Sequence, residues 1–183
     1  DTLTFSVSGS EIVIVSSTGV LTFISAPDYE TKSSYSVTVT ASDGTNSATQ
    51  DITVAINNLN DNTPAITSSS SFTADENQTA IGTVTATDAD GDTIIYSISG
   101  SEININSSTG VLAFIDAPDY ETKSSYSATV TASDGTNATT QDIIVSVNNV
   151  SDNAPSFTSS SSFTADENQT AIGTVTATDA DGN

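Results

Sequence analysis

Apolar and polar residues alternate along this chain with a period of two. Tyr126, Ala128, Val130 and Ala132 alternate with Ser125, Ser127, Thr129 and Thr131. Tyr35, Val37, Val39 and Ala41 repeat the pattern, and Ile52, Val54 and Ile56 alternate with Asp51, Thr53 and Ala55. Ile94, Tyr96 and Ile98 alternate with Ile95, Ser97 and Ser99. Successive side chains of a strand point to opposite faces, so this pattern predicts half-buried antiparallel strands. Turn signals separate them at Asp90-Gly91-Asp92, Ser107-Ser108-Thr109-Gly110 and Ser133-Asp134-Gly135. Strands are predicted at 70–75, 80–87, 93–99, 102–106, 111–115, 124–133 and 138–148, and no stretch has helical periodicity. Seven short strands in one such unit predict an all-β, immunoglobulin-like β-sandwich with Greek-key connections.

The pattern itself recurs. Ala26-Pro27-Asp28-Tyr29-Glu30-Thr31 returns as Ala117-Pro118-Asp119-Tyr120-Glu121-Thr122, and Ser42-Asp43-Gly44 returns as Ser133-Asp134-Gly135. Laying 1–91 on 92–182 leaves 72 of 91 positions identical, so the architecture is a tandem repeat of 91 residues. Residues 63–153 read as one complete repeat. Residues 1–62 read as the later part of a repeat without its first strands, and 154–183 as the first strands of another. The expectation is a window on a longer tandem array; head-to-tail assembly, with one copy's last strands completing the next copy's first domain, is the alternative.

Composition narrows the function. Against 23 acidic residues stand two basic ones, Lys32 and Lys123, a formal net charge of −21. Binding to nucleic acid needs cations that displace counterions, so it is excluded, and docking on anionic lipid is disfavoured. No apolar run is long enough to insert in a membrane. Histidine and cysteine are absent, which removes disulfides, thiolate metal sites and the usual general bases. An enzyme is not expected.

The acids gather just outside the strands. Glu76 lies between the first two, Asp88 and Asp90 after the second, Asp119 and Glu121 before the sixth, Asp134 after it and Asp152 after the seventh. In an antiparallel sandwich, Glu76, Asp119, Glu121 and Asp152 would share one end, and Asp88, Asp90 and Asp134 the other. Converging carboxylates repel, and a hard divalent cation removes that penalty. Calcium takes six to eight oxygens in irregular geometry, whereas zinc would want His or Cys.

In this order and spacing, Asp75-Glu76-Asn77, Asp88-Ala89-Asp90, Asp119-Tyr120-Glu121, Ala132-Ser133-Asp134-Gly135 and Asn60-Asp61-Asn62-Thr63-Pro64 resemble the cadherin repeat. The likeness spans the chain and looks nearest to cadherin-like repeats of bacterial surface adhesins. It implies a cadherin-type sandwich with two to three calcium ions at each interdomain joint. Carried over, the first joint uses Asp28, Glu30, Asn58, the Leu59 carbonyl, Asn60, Asp61, the Asn62 carbonyl, Asp88, Asp90 and Asp134. The second uses Glu76, Asp119, Glu121, Asn149, the Val150 carbonyl, Asp152, Asn153, Asp179 and Asp181. Asp43 matches Asp134, and Glu167 matches Glu76.

Asn58 and Asn149 stand where the family's linker usually has Asp, and Ser151 stands where it has Asn. The resemblance implies two well-held ions per joint and a weaker third. The competing reading is a diffuse acidic surface with no site, which Asp51, Asp75, Asp92 and Asp142 fit well. The function expected is a calcium-rigidified spacer in an extracellular, cell-surface adhesin or filament, touching neighbouring repeats or other copies. The alternatives are a calcium-dependent recognition module, homophilic or binding a cell-surface protein or glycan, and a filament subunit built by strand complementation.

Overall fold

A computed structural model describes residues 2–182, which form two compact units. The first holds residues up to Asn62 together with Ala89–Asp92; the second holds Thr63–Asp88 and the chain from Thr93 onward.

In the first unit, β1 (Thr4–Val7), β4 (Ser34–Ser42) and β5 (Ser47–Ala55) form one antiparallel sheet in the order β1-β4-β5. A separate pair joins β2 (Ile12–Ile14) to β3 (Leu21–Phe23). Among the described residues, β5 and β3 are each bonded along one edge. Ile12 and Val37 are buried, while Phe5, Leu21, Phe23, Val39, Ile52 and Val54 stay half-buried.

The second unit opens with β6 (Ala65–Ile66), β7 (Ser71–Asp75), β8 (Ala80–Thr83) and β9 (Ala86–Thr87). It continues through β10 (Ile95–Ile98), β11 (Ile103–Ile105), β12 (Val111–Phe114), β13 (Ser125–Ser133) and β14 (Ala138–Asn148). One sheet runs β10-β13-β14-β7, the other β11-β12-β8, and β6 pairs with β9. Every neighbour is antiparallel except β7, which lies parallel to β14 with Val145 opposite Phe72 and Val147 opposite Ala74. The strand that opens the sandwich therefore docks beside the one that closes it.

Alternation becomes a core here. Along β14, Ile143, Val145 and Val147 are buried while Asp142, Ile144 and Ser146 are exposed. Val84, Leu112, Val130, Ala132, Ile143 and Val145 have no solvent contact, and Ala74, Tyr96, Ile103, Phe114 and Val147 complete the cluster. Full burial of a side chain of this size is worth about 1.5–3 kcal/mol. Phe114 meets Tyr126 edge-on at 4.8 Å, and the Tyr96 hydroxyl accepts the Ala86 N–H at 2.9 Å.

The expected strands lie within two residues of those observed, with two differences. The predicted strand at 80–87 is broken into β8 and β9, because the Val84 N–H turns aside to the Gly110 carbonyl at 2.9 Å. A Cβ on Gly110 would sit 2.1 Å from the Val84 oxygen, so only glycine, here at φ 71°, admits the strand. The short β6 has no alternating run to announce it. After β14, residues 154–182 carry only β15 (Ser156–Phe157) paired with β16 (Ala177–Thr178). Phe163, whose equivalent Phe72 packs against the core, is 41% exposed.

Candidate metal centres

The Asp-Tyr-Glu loop follows β3 in the first unit and β12 in the second, and each copy closes in a tight turn. Asp119 accepts the Thr122 N–H at 3.1 Å and the Thr122 hydroxyl at 3.0 Å. Asp28 does the same with Thr31 and also accepts the Glu30 N–H at 3.1 Å. These bonds, Thr31 first, hold the Asp28 carboxyl below its ordinary range. The turns set the following glutamates, Glu30 and Glu121, facing the linker.

In the second unit, Glu76 is the anchor. Only 2% exposed, it accepts the Tyr120 N–H at 2.8 Å and the Val150 N–H at 2.6 Å. Asn77, at φ 63°, follows it and donates to the Asp152 carboxylate at 2.6 Å. Oxygens of Glu76, Asp119 and Glu121 lie within 4.8 Å of one another, and so do those of Glu121, Asp152 and Asp181. Glu121 thus belongs to both groups.

Asn153 locks the second of them. Its side-chain amide donates to Asp181 at 2.9 Å and Asp152 at 2.8 Å, and its backbone N–H donates to Asp181 at 3.0 Å. Those bonds, the side-chain one foremost, hold Asp181 below the usual carboxylate range. Glu121 moves the other way: desolvation leads, and the negative charges of Glu76, Asp181 and Asp119 add to it. A carboxylate raised by its neighbours' charges marks a place where a cation would relieve repulsion.

Within the first unit, Glu30, Asp61 and Asp90 form a matching group within 4.8 Å. Asp90 accepts the Asn62 N–H and the Asn62 side-chain amide, both at 2.8 Å, and the Asp61 N–H at 3.1 Å. Desolvation opposes these bonds, yet they prevail and Asp90 is lowered. Glu30 is raised: its own N–H pulls it down, but desolvation and the Asp90 and Asp28 carboxylates outweigh that pull.

The linker asparagines have a role that charge counting missed. The Asn58 amide donates to the Asp90 carbonyl at 2.7 Å, and the Asn149 amide to the Asp181 carbonyl at 3.0 Å. An aspartate there has no hydrogen to give. Val150, expected through its carbonyl, also offers its N–H to Glu76, and the Leu59 carbonyl accepts the Asp61 N–H at 3.0 Å. Asn77 was missed altogether; its place beside the anchoring Glu76 was the available signal.

Asp43, Asp134, Asp179 and Glu167 lie outside the acidic groups. Asp43 accepts the Thr45 and Asn46 N–H groups at 2.8 and 2.6 Å, and Asp134 accepts those of Thr136 and Asn137, both at 2.6 Å. Each closes its own hairpin turn, and the bonds, Asn46 first, lower Asp43. Asp88 is half-buried in the second unit, Asn60 is half-buried in the first, and Glu167 is exposed. Asp179 accepts the Asp181 N–H at 2.9 Å.

The donor sets fit a hard divalent cation. They are all oxygen, they converge, and two members, Glu76 and Asp90, are buried without a counter-charge among them. The coarse statement is that these clusters suit calcium.

Residues 70–148 match the cadherin domain model. The human protein "Protocadherin Fat 4" is 34% identical over 185 residues, covering 91% of this chain. Human "Cadherin-23" is 32% identical over 147 residues, covering 73%. The chain spans 4% of the length of each. Among solved structures, "Protocadherin gammaB7 EC3-6 cis-dimer structure" has a TM-score of 0.83 at 26% identity, covering 99% of this chain and 51% of that one. "Crystal Structure of Mouse Cadherin-23 EC22-24" has a TM-score of 0.74 at 27% identity, covering 98% and 65%.

These relatives are animal protocadherins and cadherins, which corrects the expected affinity with bacterial adhesins. Motif order and spacing mark the fold and not the lineage. Cadherin domains are structural and adhesive units, not catalysts. Over residues 70–148 this chain carries a cadherin domain, and its fold there is the cadherin-type, immunoglobulin-like β-sandwich.

Proposed function

We propose that this chain is an extracellular adhesion module of cadherin repeats that, with calcium bound, pairs with other cadherin repeats. The carrying observation is its likeness, over 99% of its length and at a TM-score of 0.83, to repeats whose structure is titled a cis-dimer. The acidic clusters support the calcium requirement. Glu30, Asp61 and Asp90 would hold calcium in the first unit, with Asp28, Asn58, Asn60 and the Leu59 and Asn62 carbonyls as further oxygens. Glu76, Asp119, Glu121, Asp152 and Asp181 would do so in the second, with Asn149, Asp179 and the Val150 and Asn153 carbonyls.

Bound calcium supplies positive charge that lets five ionised carboxylates share one end of a domain. The protein's part is orientation: Asn153 and Asn62 fix the aspartates, and Glu76 fixes the loop and the linker to the core. The test is a bead-aggregation assay with and without calcium. Aggregation that EDTA abolishes is expected, and dispersed beads in calcium would refute the pairing.

The second reading is a stiff spacer, favoured by the 72 identical positions of 91. Small-angle scattering separates the two. A chain that lengthens in calcium yet aggregates no beads is a spacer.

A further inference from the structure

Five asparagines of the second unit, Asn77, Asn106, Asn137, Asn149 and Asn168, stand two residues before a serine or threonine with no proline between. This is the acceptor pattern for an N-linked sugar on a secreted chain. The pattern is common, so the surroundings of each asparagine decide. Asn77 turns through φ 63° beside the buried Glu76 and donates to Asp152 at 2.6 Å, and Asn168 repeats it at φ 67°. Asn149 donates to the Asp181 carbonyl at 3.0 Å. Asn137 is half-buried, and its main-chain N–H and carbonyl close the hairpin with Asp134 and Ser133.

Asn106 is placed differently. It is exposed in the turn between β11 and β12, and its side-chain oxygen accepts the Ser108 and Thr109 N–H groups, each at 3.0 Å. Main-chain bonds to Val111 at 2.8 Å and from Gly110 at 2.9 Å fix the rest of the turn. The carboxamide is thus held by its oxygen, and its nitrogen has no hydrogen-bond partner among the described residues. Exchanging one hydrogen of that nitrogen for a sugar leaves every bond of the turn in place.

The same hairpin is where the two repeats part. Val13 and Val15 stand at the positions of Asn104 and Asn106, and all four are exposed. Val111, bonded across the turn from Asn106, is 47% exposed, as is Val15 in the first unit. A sugar at Asn106 would cover this side of the second unit, while the first unit keeps a bare apolar hairpin.

We propose that Asn106 carries an N-linked oligosaccharide, added as the chain enters a secretory membrane system. The site depends on the extracellular placement proposed above. The donor is an oligosaccharide joined through pyrophosphate to an isoprenoid lipid. The Asn106 Nδ2 bonds to the anomeric carbon as the bond from that carbon to the pyrophosphate oxygen breaks. The nitrogen gives one proton to a base of the transferase, the lipid pyrophosphate leaves with the bonding pair, and nothing is oxidised or reduced. The sugar then stands off the β11-β12 hairpin and closes that side of the second unit to pairing.

The test directs the whole 183-residue chain into the secretory route of cultured animal cells. Cells and medium are both mapped by glycopeptide mass spectrometry, before and after peptide N-glycosidase. Sugar is expected on Asn106, lost in Asn106→Gln and in Ser108→Ala, and kept in Ser108→Thr. Ser108→Ala retains the N–H that the Asn106 oxygen holds, so the turn survives and the loss reports the acceptor pattern alone. Asn106 found bare, or sugar undiminished in Ser108→Ala, overturns the proposal, whatever the other four asparagines carry. Calcium-dependent bead aggregation with Asn106 bare removes this site and spares the adhesion reading; dispersed beads with sugar on Asn106 do the reverse.

Discussion

Leu21 and Leu112 occupy the same place in two copies of one repeat, and only Leu112 is dry. The same holds for Phe23 and Phe114, Val39 and Val130, Ile52 and Ile143, and Val54 and Val145: half-buried in the first unit, buried in the second. The residues are identical, so composition and alternation cannot account for the difference. What differs is cover. In the second unit β7 and β8 close the sandwich, and among the described residues no strand of the first unit takes their place. A strand's apolar face thus specifies what it needs, and becomes core only when the facing strands arrive.

The comparison breaks most visibly at its leucines. Leu112→Ala should cost the second unit about 2–5 kcal/mol, as core truncations do. Leu21→Ala should cost the first unit less than half as much, read as unit-resolved hydrogen exchange in denaturant. Equal losses would mean that the first core is closed in solution.

Next in size is Glu76. Replacing it with Gln keeps the volume but puts a donor where two N–H groups need acceptors, costing about 1–3 kcal/mol. Calorimetry should show calcium affinity falling with it in the second unit, while the Glu30–Asp61–Asp90 group is unaffected.

Acidity sharpens the contrast within each cluster. Asp181 is lowered, so its stabilisation is present above the unfolded value of 3.8 and is lost as pH falls through its still lower folded value. Glu121 is raised, so its contribution is favourable below its unfolded value of 4.5 and is lost as pH rises through the higher folded value. Without metal, the second unit should therefore lose stability on rising past Glu121's raised value, a loss that calcium removes. Thermal melts from pH 4 to pH 7 with and without EDTA check it; parallel curves would show that Glu121 is not a ligand.

The smallest effect should be the same in both copies. Lys32 pairs with Glu11, and Lys123 with Glu102 at 2.6 Å, each ammonium lying 4.3 Å from the centre of a tyrosine ring. Both pairs are exposed, and Lys32→Ala and Lys123→Ala should each cost no more than about 1 kcal/mol in a melt. A larger loss for Lys123 would mean that the closed sandwich tightens its surface too.

Much of this was legible in the chain. Period-two runs marked β13 and β14 almost to the residue, because burial on one face is written directly into side-chain type. The break between β8 and β9 was not, since it depends on where the Val84 amide finds a carbonyl across the fold. Acid types and spacing marked Glu76, Asp119, Glu121 and Asp152 for one end, and the structure gathers them there. Hidden from the sequence was the direction of the hydrogen bonds. Asn58 and Asn149 read as weakened ligands, and their amide nitrogens also brace the Asp90 and Asp181 backbone. Asp43 and Asp134 read as ligands, and their carboxylates close hairpins.

Glu76 has one more consequence, in time and not in space. Its two oxygens hold an amide of the Asp-Tyr-Glu loop and an amide of the linker while the carboxylate itself is sealed from water. The Val150 amide cannot meet solvent deuterium by local fraying alone; the carboxylate must first let go. That linker proton should therefore exchange at the tempo of the sandwich interior, far slower than its exposed neighbours, and calcium should slow it again.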